Sequence, residues 1–482
     1  MTDIAAVPTV DGTRGSAPGV PAEACSHERG HITDSMFFGN RFATDRSRRI
    51  FCDVCRKQRW LDIEAALAEV QGGLGIIPRE AAEGIGGAAR VENLDLDAVR
   101  DEINRSGHSL VGLLRVFAAA CPGDSGQYIH YGATTQDIQD TGQVLEMRDV
   151  LDELDLLVRG ILTRLAELAD AYAETIAVGR THARPALPMS FGLKVASWVD
   201  EVLRDAVRLR ELRRRVLVLE MFGGVGSMAG FGPRALTMLE RLADRLGLHV
   251  PDMGWHASRD RVAEYVSTLA IVAGTMGRIA EELRVLGRPE FGEISEPWKY
   301  GTVGSSTMPH KRNPERCEQV VVMSRLAAAQ VGSALTAMVG DHERDSRSLR
   351  LEWVCVPDVS HYTLCACQIL RETLKGLTVH PERLWHNTRD VADQIASERL
   401  MLTLGEHLGK QTAHERVYAL SQTSVDTGVG VRDLLKGEQD LVGLLDEATL
   451  DEVFDPNGYI GSSAVLSRRA VASARAWLDE AR

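Results

Sequence analysis

Cysteine, aromatic residues and excess positive charge are all scarce in this chain of 482 residues, and each shortage excludes something. The eight cysteines (Cys25, Cys52, Cys55, Cys121, Cys317, Cys355, Cys365 and Cys367) are too few for a disulfide framework. Cys52-x-x-Cys55 has no second Cys or His pair at zinc-site spacing. Cys25, His27 and His31 could chelate a metal, but they fall in a Gly/Pro/Ala/Thr-rich start that reads as a flexible arm. No metal and no other cofactor is expected. The net charge is −13. A sequence-nonspecific nucleic-acid binder needs the opposite sign, and the arginine-rich stretch 204–215 alone does not supply it. No apolar run of membrane-spanning length is apparent, and no positively charged start precedes an apolar core. The chain reads as soluble and cytoplasmic, with neither nucleic acid nor membrane as a partner.

What is present is helical periodicity. Leu151, Leu154, Val158, Ile161, Leu165, Leu168 and Tyr172 alternate spacings of three and four. Val262, Tyr265, Leu269, Val272, Met276, Ile279, Leu283 and Leu286 do the same. This is the 3.5-residue period of a coiled-coil-like seam. A third segment, 195–218, is helical but basic on one side, and 48–78 is helical up to Pro78. Helices of about 25 residues are roughly 35 to 40 Å long. The expected fold is all-α, with three helical domains. A flexible arm (1–35) precedes an N-terminal helical domain (36–127). A central bundle of long antiparallel helices (128–378) and a small C-terminal helical domain (379–482) follow. Aromatics are only 5% of the chain, and the central region offers few partner helices. Other subunits are therefore expected to complete the seams.

The chemistry gathers in a few segments. Gly304-Ser305-Ser306-Thr307-Met308-Pro309-His310-Lys311-Arg312-Asn313-Pro314 has adjacent hydroxyls, a lysine six residues after the first and an asparagine two further on. With Gly301 and Gly304 as hinges it reads as a loop able to close as a catalytic lid over 301–315. In Tyr128–Asp137, a glycine followed by Thr134 and Thr135 just before a long helix suits an anion at a helix N-terminus. In 179–188, His182 is the candidate general acid, since its ordinary pKa lies nearest neutrality. Gly254–Arg261 opens the second seam helix. His342-Glu343-Arg344, followed by Arg347, Arg350 and Glu352-Trp353, reads equally well as a solvated helix face.

The eleven-residue string resembles the signature of the fumarase/aspartase superfamily, G-S-S-x-M-P-x-K-x-N-P, at every fixed position. The resemblance implies a lyase that cleaves a C–N or C–O bond in a succinyl-type substrate, usually releasing fumarate. It also implies a homotetramer with a 20-helix core, each site drawing residues from three subunits. By the same resemblance Ser305 is the base, and Lys311 and Asn313 stabilise the aci-carboxylate. Ser306 and Met308 also count as substrate-binding, as do His130 and His108. Thr134 and Thr135 hold a carboxylate, Thr135 standing where the family's H-x-G-x-T-S-x-D has serine. His182, in a G-R-T-H-x-Q-like segment, pairs with Glu318, seven residues after Lys311. Arg184 replaces the usual Gln and points to a more anionic group. Arg259 and Arg344 lie in stretches similar to the carboxymuconate cycloisomerase branch.

The resemblance runs from about residue 48 to 422 and is nearest the adenylosuccinate lyase and carboxymuconate cycloisomerase branch. Arg184 favours a compact, highly anionic dicarboxylate. Nitrosuccinate, eliminated to fumarate and nitrite, fits that description. The alternatives are a 3-carboxy-cis,cis-muconate cycloisomerase and an adenylosuccinate lyase, for which no phosphate site is located. A non-catalytic structural homologue is a further alternative. The presence of Ser305, His182, Lys311 and Asn313 argues against it.

Overall fold

The computed structural model describes residues 30–480. The expected arm therefore lies outside the described residues except for its last few positions, and so do Cys25 and His27. Among the described residues, five helices of 23 to 37 residues form the central bundle: Thr135–Ala171, Phe191–Val216, Asp260–Leu286, Glu315–Ala337 and Ser346–Lys375. They are called here the first to fifth long helices. The apolar seams expected in the first and third are buried at every position except Tyr172. Each such Leu, Val or Ile contributes roughly 1.5–3 kcal/mol of transfer free energy.

The long helices start where polar side chains can satisfy free N–H groups. Ser190 Oγ accepts from the Leu193 N–H at the second, and Asp345 accepts from the Arg347 N–H at the fifth. The fourth is capped from a distance. The Glu296 carboxylate accepts from the N–H groups of Arg316 (3.4 Å) and Cys317 (3.1 Å).

The seams find partners within the chain, because the fourth and fifth helices, unforeseen as long helices, pack against the third. The fourth buries only one face. Val322 and Leu335 are exposed on the other. Contrary to expectation, this helix is long and apolar enough, by length and composition, to cross a membrane.

The first and second long helices are joined by an antiparallel hairpin, Ile176–Thr181 with Arg184–Ser190, which the all-helical expectation did not include. Thr181 pairs with Arg184, so the turn is His182-Ala183 alone. Both residues have positive φ (49° and 63°). This is the type I′ pattern, which ordinarily selects Asn-Gly. The turn end of the hairpin is braced by Arg180, whose guanidinium meets the buried Glu293 carboxylate at 2.5 and 3.2 Å. Arg180 also lies over the Phe291 ring.

In the C-terminal region, Leu400, Leu404, Val417, Leu435 and Leu450 belong to a separate small core. The last helix, Ser463–Glu480, leaves that core and returns to the bundle. There Ser467 donates to the Ala169 carbonyl (2.8 Å) and Trp477 stacks under Arg159. The expected unit 379–482 thus divides in two.

Candidate active site

At one end of the bundle, the first long helix begins at Thr134. Its N–H donates to Asp137 Oδ2 (2.8 Å) and its hydroxyl accepts from Arg344 (2.6 Å). Arg344 also donates to the Gly224 carbonyl (2.8 Å), so it straps two loops together. Asp137 is fully buried. It accepts from the N–H groups of Phe222 and Gly223 and lies 2.8 Å from His256 Nε2. Gly132 (φ 79°) completes the turn, where a Cβ would strike the Gly230 carbonyl oxygen at 2.8 Å. His130 hydrogen-bonds Glu64 through Nδ1 (2.7 Å) and its N–H (3.1 Å). Burial opposes its protonation, but the Glu64 hydrogen bond and charge prevail and its pKa is raised. His108, exposed, faces the Val111 N–H (3.4 Å), and Thr135 is the first helical residue.

Beneath this corner lies Glu220, also fully buried. Its Oε1 makes no hydrogen bond and faces His256 Nε2 at 3.3 Å. Burial, then the neighbouring Asp140 and Asp137 charges, pushes its carboxyl up to about 9. Asp137, Glu220 and His256 each offer an atom within 4.8 Å of the others, a spacing that would admit a metal ion. Asp137 is already committed to three backbone N–H groups, and its 2.8 Å contact with His256 is a hydrogen-bond distance. We read the cluster as a proton-sharing network that fixes the Thr134 corner.

Arg259 requires a correction. Expected on the substrate, it is fully buried instead, with its guanidinium clamped between Asp140 (2.8 and 2.9 Å) and Glu352 (2.8 Å and a second, shorter contact). Every donor is used, so it serves as a positioning residue. Arg347 is tied to Asp341 and Asp345 in its own loop, and Arg350 is exposed.

The signature loop and the hairpin tip lie at the other end of the bundle. The N–H groups of Thr307 (3.3 Å) and Met308 (3.0 Å) converge on Ser305 Oγ. Asn313 also departs from its expected role. Its amide donates to the Gly304 carbonyl (2.7 Å), closing the loop instead of pointing to a ligand. Only glycine fits at 304, since a Cβ would lie 2.4 Å from the Lys311 carbonyl oxygen. Ser306, Met308 and Lys311 are exposed. His182 and Arg184 are exposed at the hairpin tip, and Glu318 is exposed near the start of the fourth helix. No hydrogen bond or ion pair joins His182 to Glu318 among the described residues, so their expected pairing is not made within one chain.

One chain thus holds two partial constellations, separated by the fourth long helix, 23 residues or roughly 35 Å. Thr134, Thr135, His130, His108 and Arg344 stand at one end. Ser305, Ser306, Met308, Lys311, Asn313, Glu318, His182 and Arg184 stand at the other. Sequence reasoning placed His256 and Glu352 only within the stretches 254–261 and 342–353, with no role of their own, and it missed Glu220, Asp140 and Arg41, the last lining a cavity of about 580 Å³ behind the signature loop. It assigned no role to Asp137, although Thr134-x-x-Asp137 is a capping-box spacing that could have shown one.

Residues 40–331 match the protein family described as Lyase, and residues 393–470 match the one described as adenylosuccinate lyase C-terminus. The chain is 38% identical to an N-acetyl-S-(2-succino)cysteine lyase of Enterococcus italicus, over 90% of this chain and 95% of that protein. It is 37% identical to the protein of the same description from Dickeya dadantii, with the same coverage. The crystal structure of 3-carboxy-cis,cis-muconate lactonizing enzyme from Pseudomonas putida superposes with a TM-score of 0.85 at 32% identity, covering 92% of this chain and 99% of that one.

Proposed function

This chain belongs to the fumarase/aspartase superfamily of lyases, and from that premise we propose that it eliminates a thiol from an S-succinyl thioether, releasing fumarate. The observation that carries the proposal is the likeness, over nine-tenths of the chain, to two N-acetyl-S-(2-succino)cysteine lyases. The signature serine, lysine and asparagine and the hairpin histidine are all in place.

The difficult step is removal of a proton from the carbon beside a carboxylate, which leaves a doubly negative aci-carboxylate. Ser305 takes that proton. A serine is a poor base unless its alkoxide is stabilised, and the two backbone N–H groups converging on its Oγ supply stabilisation before substrate arrives. The electron pair of the broken C–H bond forms the new C=C bond as the C–S bond breaks. The pair from sulfur leaves with the thiolate, whose ordinary pKa of ~8.5 asks little of an acid. His182 returns a proton to it. Thr134, Thr135 and Arg344 hold the substrate carboxylates, and Lys311 faces the developing charge.

Because the two partial constellations lie ~35 Å apart within one chain, each working site is proposed to form between subunits of a homo-oligomer, a homotetramer by the resemblance. The apolar residues exposed on the fourth long helix support assembly. A second reading, elimination of nitrite from nitrosuccinate, is favoured by Arg184, an exposed cation at the hairpin tip.

The test is ultraviolet detection of fumarate from N-acetyl-S-(2-succinyl)cysteine, nitrosuccinate and adenylosuccinate. The expected result is release from the thioether, reduced at least ~10³-fold in Ser305→Ala. Release from nitrosuccinate alone would transfer the assignment to the second reading. Silence from all three would discard both and direct the assay to carboxymuconate.

A further inference from the structure

One helical turn below Thr135, on the same face of the first long helix, lie Gln139 and then Gln143. They open onto a cavity of about 180 Å³ that also reaches Lys57, Trp60, Ser109 and Trp353. Drug-sized ligands fill ~300–1,000 Å³, so this space suits a smaller group. It is adjacent to the proposed carboxylate site, since Ser109 follows His108 and Gln139 donates to Ser109 Oγ (2.7 Å).

The charges around the cavity are unequal in commitment. Arg56 is neutralised by Glu146 through contacts of 2.7 and 3.0 Å. The Lys57 ammonium makes no hydrogen bond or ion pair among the described residues and rests 4.5 Å from the centroid of the Trp60 ring. The two glutamines are oriented by their amide donors, Gln139 to Ser109 and Gln143 to Glu352 (3.2 Å). Their Oε1 atoms accept nothing among the described residues. The walls thus combine the Lys57 ammonium, the Asp53 carboxylate, the Arg56–Glu146 pair, two amide acceptors and two indoles.

We infer that this cavity receives the leaving-group half of the substrate, an N-acylated amino acid, its carboxylate on Lys57, its amide N–H on the glutamines and its acyl group against the indoles. The inference rests on the thioether reading above and deepens it. It makes Lys57 a specificity-determining residue. Burial lowers the Lys57 pKa, a penalty that a bound carboxylate offsets.

Direct binding tests this without turnover. N-acetyl-S-methylcysteine titrated into the full-length protein is expected to change the tryptophan fluorescence saturably. Lys57→Met is expected to weaken binding about tenfold, the loss of one charged contact. N-acetyl-S-methylcysteamine, which lacks the carboxylate, is expected to bind wild type and variant alike. Trp353→Leu, at a partly exposed position, provides a second variant should Lys57→Met fold poorly, and it too is expected to weaken binding. No binding to wild type, or equal binding to wild type and both variants, overturns the inference. Fumarate release from the thioether without such binding removes the cavity assignment alone. Binding without fumarate release removes the elimination reading alone.

Discussion

The two ends of the first long helix treat their polar groups in opposite ways. At the Thr134 end, Asp137, Asp140, Arg259, Glu352 and His256 are buried and bonded to one another. At the hairpin end, His182, Arg184, Lys311 and Glu318 are exposed, and their side chains make no hydrogen bond or ion pair among the described residues. The difference separates holding from reacting. A buried charge must be paired where it lies, or the fold loses several kcal/mol. A group that is to meet a substrate or another subunit must remain uncommitted. The fourth long helix, ~35 Å, separates the two ends, so neither reaches the other within one chain.

The most demanding challenge to this contrast is complementation. Arg344→Met, at the Thr134 end, and Ser305→Ala, at the hairpin end, are each expected to be nearly inactive. Co-assembled in equal amounts, they should recover roughly a quarter of the wild-type rate if a site draws the two groups from different subunits. Recovery no greater than the parents' own rates would place both groups on one subunit. A smaller effect separates the ends by stability. Arg259→Met strands the Asp140 and Glu352 carboxylates and is expected to cost ~3–5 kcal/mol in denaturant unfolding. Arg184→Met at the exposed tip should change it by under ~0.5 kcal/mol. Equal costs would erase the contrast.

The smallest effect is one of pH. In the folded chain Glu220 keeps its proton up to about 9, whereas the unfolded chain releases it in the ordinary carboxylate range, ~4.3. The folded state then binds more protons throughout that window, so this group's contribution to stability declines as pH rises and levels off above 9. Glu220→Gln removes the decline. Melting curves at pH 6 and 8 should show the variant gaining on wild type with pH, by no more than ~1.4 kcal/mol per unit. A constant difference would show that Glu220 is already ionised in the fold.

Much of the bundle was legible because a period of 3.5 shows wherever one face is buried, as in the first and third helices. The fourth was not, since Glu315–Ala337 is rich in Val and Ala on all sides and offers no polar stripe against which to read a face. The hairpin was hidden by Pro185 and Pro188 and by a turn lacking the usual Asn-Gly. Ser305 and Lys311 were legible as parts of one contiguous string. The clamp on Arg259 was not. Asp140 and Glu352 stand 212 positions apart in the chain, and no local pattern announces that they meet. Asn313 was recognised, but its role was not, because only the folded loop shows that its amide is already occupied.

The turn at the hairpin tip places fold and chemistry in competition at a single site. Left-handed backbone costs an ordinary L-residue about 1–2 kcal/mol, and His182-Ala183 bears that cost twice. Asn-Gly would relieve it, and every gain in ease of folding along that route would come at the expense of the imidazole. Under the mechanism proposed for His182, drift toward robustness at this turn is drift away from catalysis. A laboratory selection for thermal tolerance alone would be expected to enrich the residues that the reaction cannot use.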